Sequence, residues 1–144
     1  MLRLAKLLLA AIFCLAARPA WQPQPTTLPS TERQQILQLL LDLPDLQGYY
    51  HAKLAQRLPV KLQVDAFATP GLRLRKFNHA VVLLTDQQLK QRRIRDYVRL
   101  GLLRQRQDTL DFRLGYAIEG VVAAGQLVRQ PNGWRVGRYS VVEQ

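Results

Sequence analysis

The sequence predicts an α+β domain in which an N-terminal amphipathic helix is packed on a curved antiparallel β-meander. Three patterns carry that prediction. Ile36, Leu37, Leu39, Leu40, Leu41 and Leu43 recur at i, i+3, i+4 spacing, a wide apolar stripe along one helix. From Val60 the apolar period shortens to two, the alternation expected of strands. Asn132–Gly133 stands between two further alternating runs and marks a hairpin. A length of 144 residues suits one domain, and 48% hydrophobic content is enough to build a core.

Residues 1–20 have the layout of a secretory signal peptide. Arg3 and Lys6 supply a positive start, residues 7–17 are an unbroken apolar run, and Ala16, Ala17 and Ala20 offer small residues for cleavage. That run of 11 residues is about half the ~20 needed to cross a bilayer, so no transmembrane span is expected in the mature chain. The single cysteine, Cys14, follows Phe13 where lipoproteins carry a small residue, and ordinary cleavage removes it. Export to the periplasm or the extracellular space is therefore the expectation. Loss of residues 1–20 leaves 18 basic against 10 acidic side chains, a net +8, so the basic character belongs to the domain itself.

Residues 21–29, with Pro23, Pro25 and Pro29, read as a stiff, extended spacer, and the domain proper as 30–144. Thr31 with Gln34 fits a capping box at the helix start, and Pro44 stops the helix near Asp42–Leu43. Gly48, Pro44 and Pro59 make the next stretch a short turn or helix plus irregular chain. Val60, Leu62, Val64 and Ala66 share one strand face, and residues 68–71 form a turn. Residues 71–77 alternate again, with Arg73 and Arg75 on one face and Leu72 and Leu74 on the other. Residues 80–84 suit a more buried strand, and Thr85 with Gln88 is a second capping box opening a short helix.

Residues 92–106 read as one long strand, with a turn at Gln107–Asp108. Leu110, Phe112, Leu114, Tyr116 and Ile118 then fall on one side of the next strand. Glu119–Gly120 permits a bend or bulge, and the final two strands flank 131–133.

One helix followed by a meander ending in NGWRV (132–136) resembles small exported α+β proteins over roughly residues 60–143. Some of these are cystatin-like; others have the cone-shaped fold of ketosteroid isomerases and polyketide cyclases. The chain is also similar to uncharacterised bacterial exported proteins described as domains of unknown function. The cone-shaped likeness implies a pocket between sheet and helix, worked by a carboxylate base with a Tyr or Asp donor.

Asp96 is the carboxylate that answers to this description, because it shares a predicted face with Ile94, Val98, Leu100 and Leu102. It is the candidate general base, with Tyr97, Tyr116 or Tyr139 as donor. The plainer reading pairs it with Arg92 or Arg99 near the end of the strand. Asp65 and Asp111 alternate outward. His51 and His79 have no ligand partner at metal-binding spacing, and Ser30 and Ser140 lack a nucleophile elbow. One Cys and two His exclude a disulfide scaffold and a Cys- or His-rich metal centre, and no phosphate loop is present. No metal and no cofactor are expected, and the balance favours a non-enzymatic protein.

Charge supplies the remaining signal. Between Lys90 and Arg106 seven basic residues face one acid, a net +6 in 17 residues. On a continuous strand Arg93, Arg95, Tyr97 and Arg99 form a basic ribbon with an aromatic inside it, which Arg73 and Arg75 extend if the strands are adjacent. Such a face binds phosphate or carboxylate through paired donors. Export argues against nucleic acid as the partner and points to anionic envelope lipid, glycan or an acidic protein. The plainer alternative is a solvated face that serves solubility. The expected function is thus an exported binding domain with a basic strand face, and the alternative is a small-molecule-binding or isomerase-like cone with a pocket near Asp96.

Overall fold

The computed structural model describes residues 28–144, so the expected signal peptide and residues 21–27 of the spacer lie outside the described residues. Helix α1 spans Ser30–Leu41 and buries Ile36, Leu37, Leu40 and Leu41, the apolar stripe seen in the sequence. Its start differs from expectation. Pro29 occupies the N-cap without a side-chain cap, and Gln34 Oε1 instead accepts the Arg73 N–H at 2.9 Å. The chain at 73–75 runs beside the helix and takes the glutamines for itself, since Gln38 Oε1 also accepts the Arg75 N–H at 3.1 Å. Leu28, at the end of the spacer, is buried.

After α1 the chain makes three short 3-10 turns, Pro44–Leu46, Gly48–Tyr50 and Ala55–Arg57. Eight strands follow: β1 (Lys61–Gln63), β2 (Arg75–Lys76), β3 (His79–Ala80), β4 (Val82–Leu84), β5 (Val98–Arg106), β6 (Thr109–Tyr116), β7 (Val121–Gln130) and β8 (Gly133–Glu143). Helix α2 (Asp86–Gln91) lies between β4 and β5 and opens with the expected Thr85–Gln88 capping box.

Six strands form one sheet in the order β4-β1-β5-β6-β7-β8. The sheet is mixed: β1 pairs in parallel with both β4 and β5, and antiparallel pairing joins only β5 through β8. Parallel pairing follows from the long returns between these strands, which carry the β2–β3 ribbon and α2 and leave no room for tight hairpins. Strand β1 is shorter than the alternation of 60–66 predicts. Asp65 Oδ1 accepts the N–H groups of Phe67 and Ala68 at 2.8 and 2.6 Å, a side-chain turn that ends the strand.

Residues 92–97 are not strand. Arg92 caps α2, Arg93 takes a left-handed φ of 54°, and Ile94 N–H returns to Leu89 O at 2.9 Å. A bulge then interrupts β5, because Leu100 opposes Leu114 while Leu102 opposes Arg113. The extra residue, Gly101, reverses the side of everything after it. Leu100 therefore faces the core and Leu102 the opposite side, against the single shared face expected for Asp96, Leu100 and Leu102. Ile118 is also displaced, 43% exposed in the turn Ala117–Glu119 that Gly120 closes at φ +63.

The last hairpin pairs Gln130 with Gly133, so Pro131–Asn132 forms the turn and Gly133 alone supplies the positive φ, +118.

One side of the sheet carries the core. Val98, Leu110, Phe112, Leu114, Tyr116, Val121, Ala123 and Leu127 are buried there with Trp134 and the α1 stripe. Glu32 clasps α1 to the β7–β8 hairpin, accepting from Trp134 Nε1 at 3.0 Å and from Arg129 at 2.6 Å, while the Arg129 guanidinium lies 5.0 Å from the indole centroid.

Candidate functional site

Two polar arrangements stand out, one beside the core and one on the opposite side of the sheet. The first surrounds Asp96. This residue sits in the irregular lead-in to β5, its side chain 16% exposed. Oδ1 accepts the Tyr116 hydroxyl and Arg57 Nη1, the latter at 3.4 Å, and Oδ2 accepts Lys61 Nζ at 3.2 Å. Arg57 also donates to Glu119 through Nη2, and His51 Nε2 stands 3.2 Å from Glu119 Oε2. The result is a chain of polar contacts, His51–Glu119–Arg57–Asp96–Lys61, that ties the turns at 48–57 to β1, to the start of β5 and to the β6–β7 turn.

Tyr116 is buried at the end of β6 and tilts against Tyr50 with ring centroids 5.5 Å apart. Burial first, and the bond to Asp96 second, hold its hydroxyl protonated well above the ordinary phenol range. Burial opposes the charge on Arg57, but its bonds to Glu119 and Tyr116 outweigh that and raise it on balance. A general base needs an oxygen within reach of a substrate proton. Here three protein donors occupy the two oxygens of Asp96, which is the arrangement of a structural ion cluster. Of the donors considered from sequence, Tyr116 is the one joined to Asp96. Arg57, Lys61 and Glu119 were not legible as members, and neither Arg92 nor Arg99 pairs with Asp96.

The expected basic ribbon is not assembled. Arg93 lies in the left-handed turn after α2, Arg95 and Tyr97 lie in the irregular lead-in, and only Arg99 is on β5. Arg73 precedes β2, and Arg75 lies on it; β2 pairs only with β3, apart from the six-stranded sheet. The left-handed turn at Arg93 and the late start of β5 separate these residues.

The strand register creates a different basic face. Four cross-strand rows point away from the core: Arg99–Gly115–Val122–Val142, Leu102–Arg113–Ala124–Ser140, Arg104–Asp111–Gln126 and Arg106–Thr109–Val128–Arg135. These rows hold five arginines against one carboxylate, Asp111. Asp111 pairs with Arg104 at 3.3 Å and Arg106 at 3.6 Å. A hydrogen bond from Gln126, helped by these two arginines, holds its carboxyl below the usual carboxylate range against the opposing effect of burial.

Arg99, Arg113 and Arg135 are exposed and make no ion pair among the described residues. Apart from Asp111, Gln126 and Thr109, the residues between the arginines are small or apolar, and Val142 is 51% exposed. The sequence places Arg104 and Arg106 in the basic segment but cannot put them beside Arg113 and Arg135, because the Gly101 bulge sets their side.

His79 is exposed on β3, and Ser140 lies on the basic face beside Ala124. No group of three or more potential metal ligands occurs among the described residues, and no described helix is long and apolar enough to cross a membrane. In comparisons with known proteins the chain matches no family model, no curated protein and no solved structure.

Proposed function

We propose that this protein is an exported, non-enzymatic binding domain that holds an anionic lipid surface of the cell envelope. In this reading α1 covers the inner side of a curved meander and the outer side meets the membrane. The single observation that carries it is the concentration of Arg99, Arg104, Arg106, Arg113 and Arg135 on one exposed sheet face with Asp111 as the only acid. A face of cations separated mostly by small and apolar residues can approach headgroups closely, and each Arg near an anionic surface is worth about 1 kcal/mol. The signal-like residues 1–20 support the compartment, and the resemblance to small exported α+β proteins agrees with it. The isomerase-like alternative gains nothing from Asp96, whose oxygens are engaged by Arg57, Lys61 and Tyr116.

Co-sedimentation with phosphatidylglycerol-containing vesicles tests the proposal. Binding should weaken steeply with added salt. The triple variant Arg99→Gln, Arg113→Gln, Arg135→Gln should lose about two orders of magnitude in affinity, from about 1 kcal/mol per charge. The charge-matched variant Arg73→Gln, Arg93→Gln, Arg95→Gln should lose far less. Equal losses in the two variants, or salt-independent binding, would overturn the reading.

A further inference from the structure

Among the described residues three large apolar side chains stand in solvent, Leu54 at 44% exposed, Ile118 and Val142. All three lie at one end of the six-stranded sheet. Ile118 is in the turn Ala117–Glu119 between β6 and β7. Leu54 belongs to the turn that Glu119 holds from both sides: His51, three residues before it, and Arg57, three after, both meet the Glu119 carboxylate. Val142 opposes Val122 on β7, two residues from Gly120, whose carbonyl accepts the Gln144 N–H at 2.7 Å. At the other end, around the turns Gln107–Asp108 and Pro131–Asn132, no large apolar side chain is exposed among the described residues. Single apolar residues scattered over a surface are ordinary, whereas a gathering at one end marks a contact. The charges there favour an anionic partner. Asp96 is engaged by Arg57, Lys61 and Tyr116, Glu119 by Arg57 and His51, and Glu143 by Tyr49. Lys53, next to Leu54, and Arg99, in the cross-strand row of Val142, are exposed and make no ion pair among the described residues.

The geometry points to this end of the sheet as the part that enters the bilayer, with Ile118 and Leu54 passing between the headgroups and Lys53 and Arg99 behind them at the lipid phosphates. This inference rests on the lipid-surface reading above and deepens it by naming the end of the basic face that goes deepest. The row Arg99–Gly115–Val122–Val142 is the last of the outer rows on this side, so the apolar end continues the basic face directly. Apolar side chains of interfacial proteins leave water by sinking about 5–10 Å into the boundary between headgroups and acyl chains. The long stems of Lys and Arg let their charges stay in the headgroup layer while neighbouring residues go deeper. Cations alone would hold the protein at the surface; the apolar end adds a contact that salt does not screen.

The test reads depth at the two ends of the sheet. Cys14→Ser removes the single cysteine of the chain, so one environment-sensitive fluorophore can be attached through Leu54→Cys, Ile118→Cys, Asp108→Cys or Asn132→Cys. On phosphatidylglycerol-containing vesicles the labels at 54 and 118 should shift to shorter wavelength and be quenched by lipids spin-labelled in the upper acyl chain. Those at 108 and 132 should do neither. The unlabelled variant Leu54→Asn, Ile118→Asn keeps every charge and should bind about tenfold more weakly, with native circular dichroism and an unchanged salt dependence. A vesicle-bound chain whose label at 54 or 118 is not quenched would overturn the insertion. So would quenching at 108 or 132 as strong as at 118, or wild-type affinity in the asparagine variant. Absence of wild-type binding to the vesicles would overturn the lipid-surface reading itself, so the two failures are distinguishable.

Discussion

The hydroxyl of Tyr116 donates to Asp96 Oδ1, joining the end of β6 to the lead-in of β5 at the point where Arg57 and Lys61 also converge. Removing the hydroxyl takes one of the three donors from a part-buried carboxylate. Tyr116→Phe should cost about 1 kcal/mol in urea unfolding, the usual net worth of such a bond. Asp96→Ala should cost more, about 3 kcal/mol, because it leaves two part-buried cations facing each other without their shared anion. If Asp96→Ala proves neutral, the cluster is not a tie between these segments.

Alkaline pH should weaken the fold through the same residue. The folded state raises the Tyr116 hydroxyl above its ordinary value, and burial raises that of Tyr50 as well. The unfolded chain therefore loses its phenolic protons first. Stability is fully present below about pH 10 and falls as pH rises beyond it, towards the folded-state values. Thermal melts between pH 9 and 11 should show the decline, and Tyr116→Phe should flatten it.

At acid pH the sign is opposite. Asp111 is held below the ordinary carboxylate range, so its contribution is present above about pH 4 and is lost as the pH falls towards the folded value. Asp111→Asn should remove that part of the acid sensitivity. It also deletes the only acid of the outer rows, so its binding to phosphatidylglycerol vesicles should be several-fold tighter at low salt. Unchanged or weaker binding would count against the outer face as the contact.

Glu32 is the acceptor that fastens α1 to the Trp134 indole. In a Trp21→Phe background Trp134 is the remaining tryptophan of the two in the chain. Glu32→Ala should then shift its emission to longer wavelength as the hairpin loosens, with a loss of about 1–2 kcal/mol. Glu32→Gln, which can still accept from the indole, should lose less.

Gly125 marks a place where no side chain fits. A Cβ there would lie 2.3 Å from Arg138 O and 2.5 Å from Tyr139 Cβ, at the register shift between β7 and β8. Gly125→Ala must push the two strands apart and should cost about 3 kcal/mol or more in chemical unfolding. Gly115→Ala, whose Cβ meets Arg99 only at ordinary contact distance, should be close to neutral.

Local features are legible in the sequence alone. The apolar stripe of α1, the Thr85–Gln88 cap, the turn at Gln107–Asp108 and the alternation from Leu110 to Tyr116 each depend on residues a few positions apart, and each is found. Asp96 also drew notice from sequence, as did Tyr116. Their companions Arg57, Lys61 and Glu119 did not, because separations of 23 to 39 residues along the chain from Asp96 leave no periodic trace.

The basic excess is a property of composition, and no folding is needed to read it. Where the charges stand is a property of register. Because strand side chains alternate with a period of two, one extra residue at Gly101 reverses the sides that follow it and places Arg104 and Arg106 with Arg113 and Arg135. The left-handed turn at Arg93 meanwhile takes Arg93 and Arg95 out of the sheet. Alternation along a single strand cannot foresee a bulge, since the bulge arises from how two strands align, and that alignment is settled only when the core closes over both.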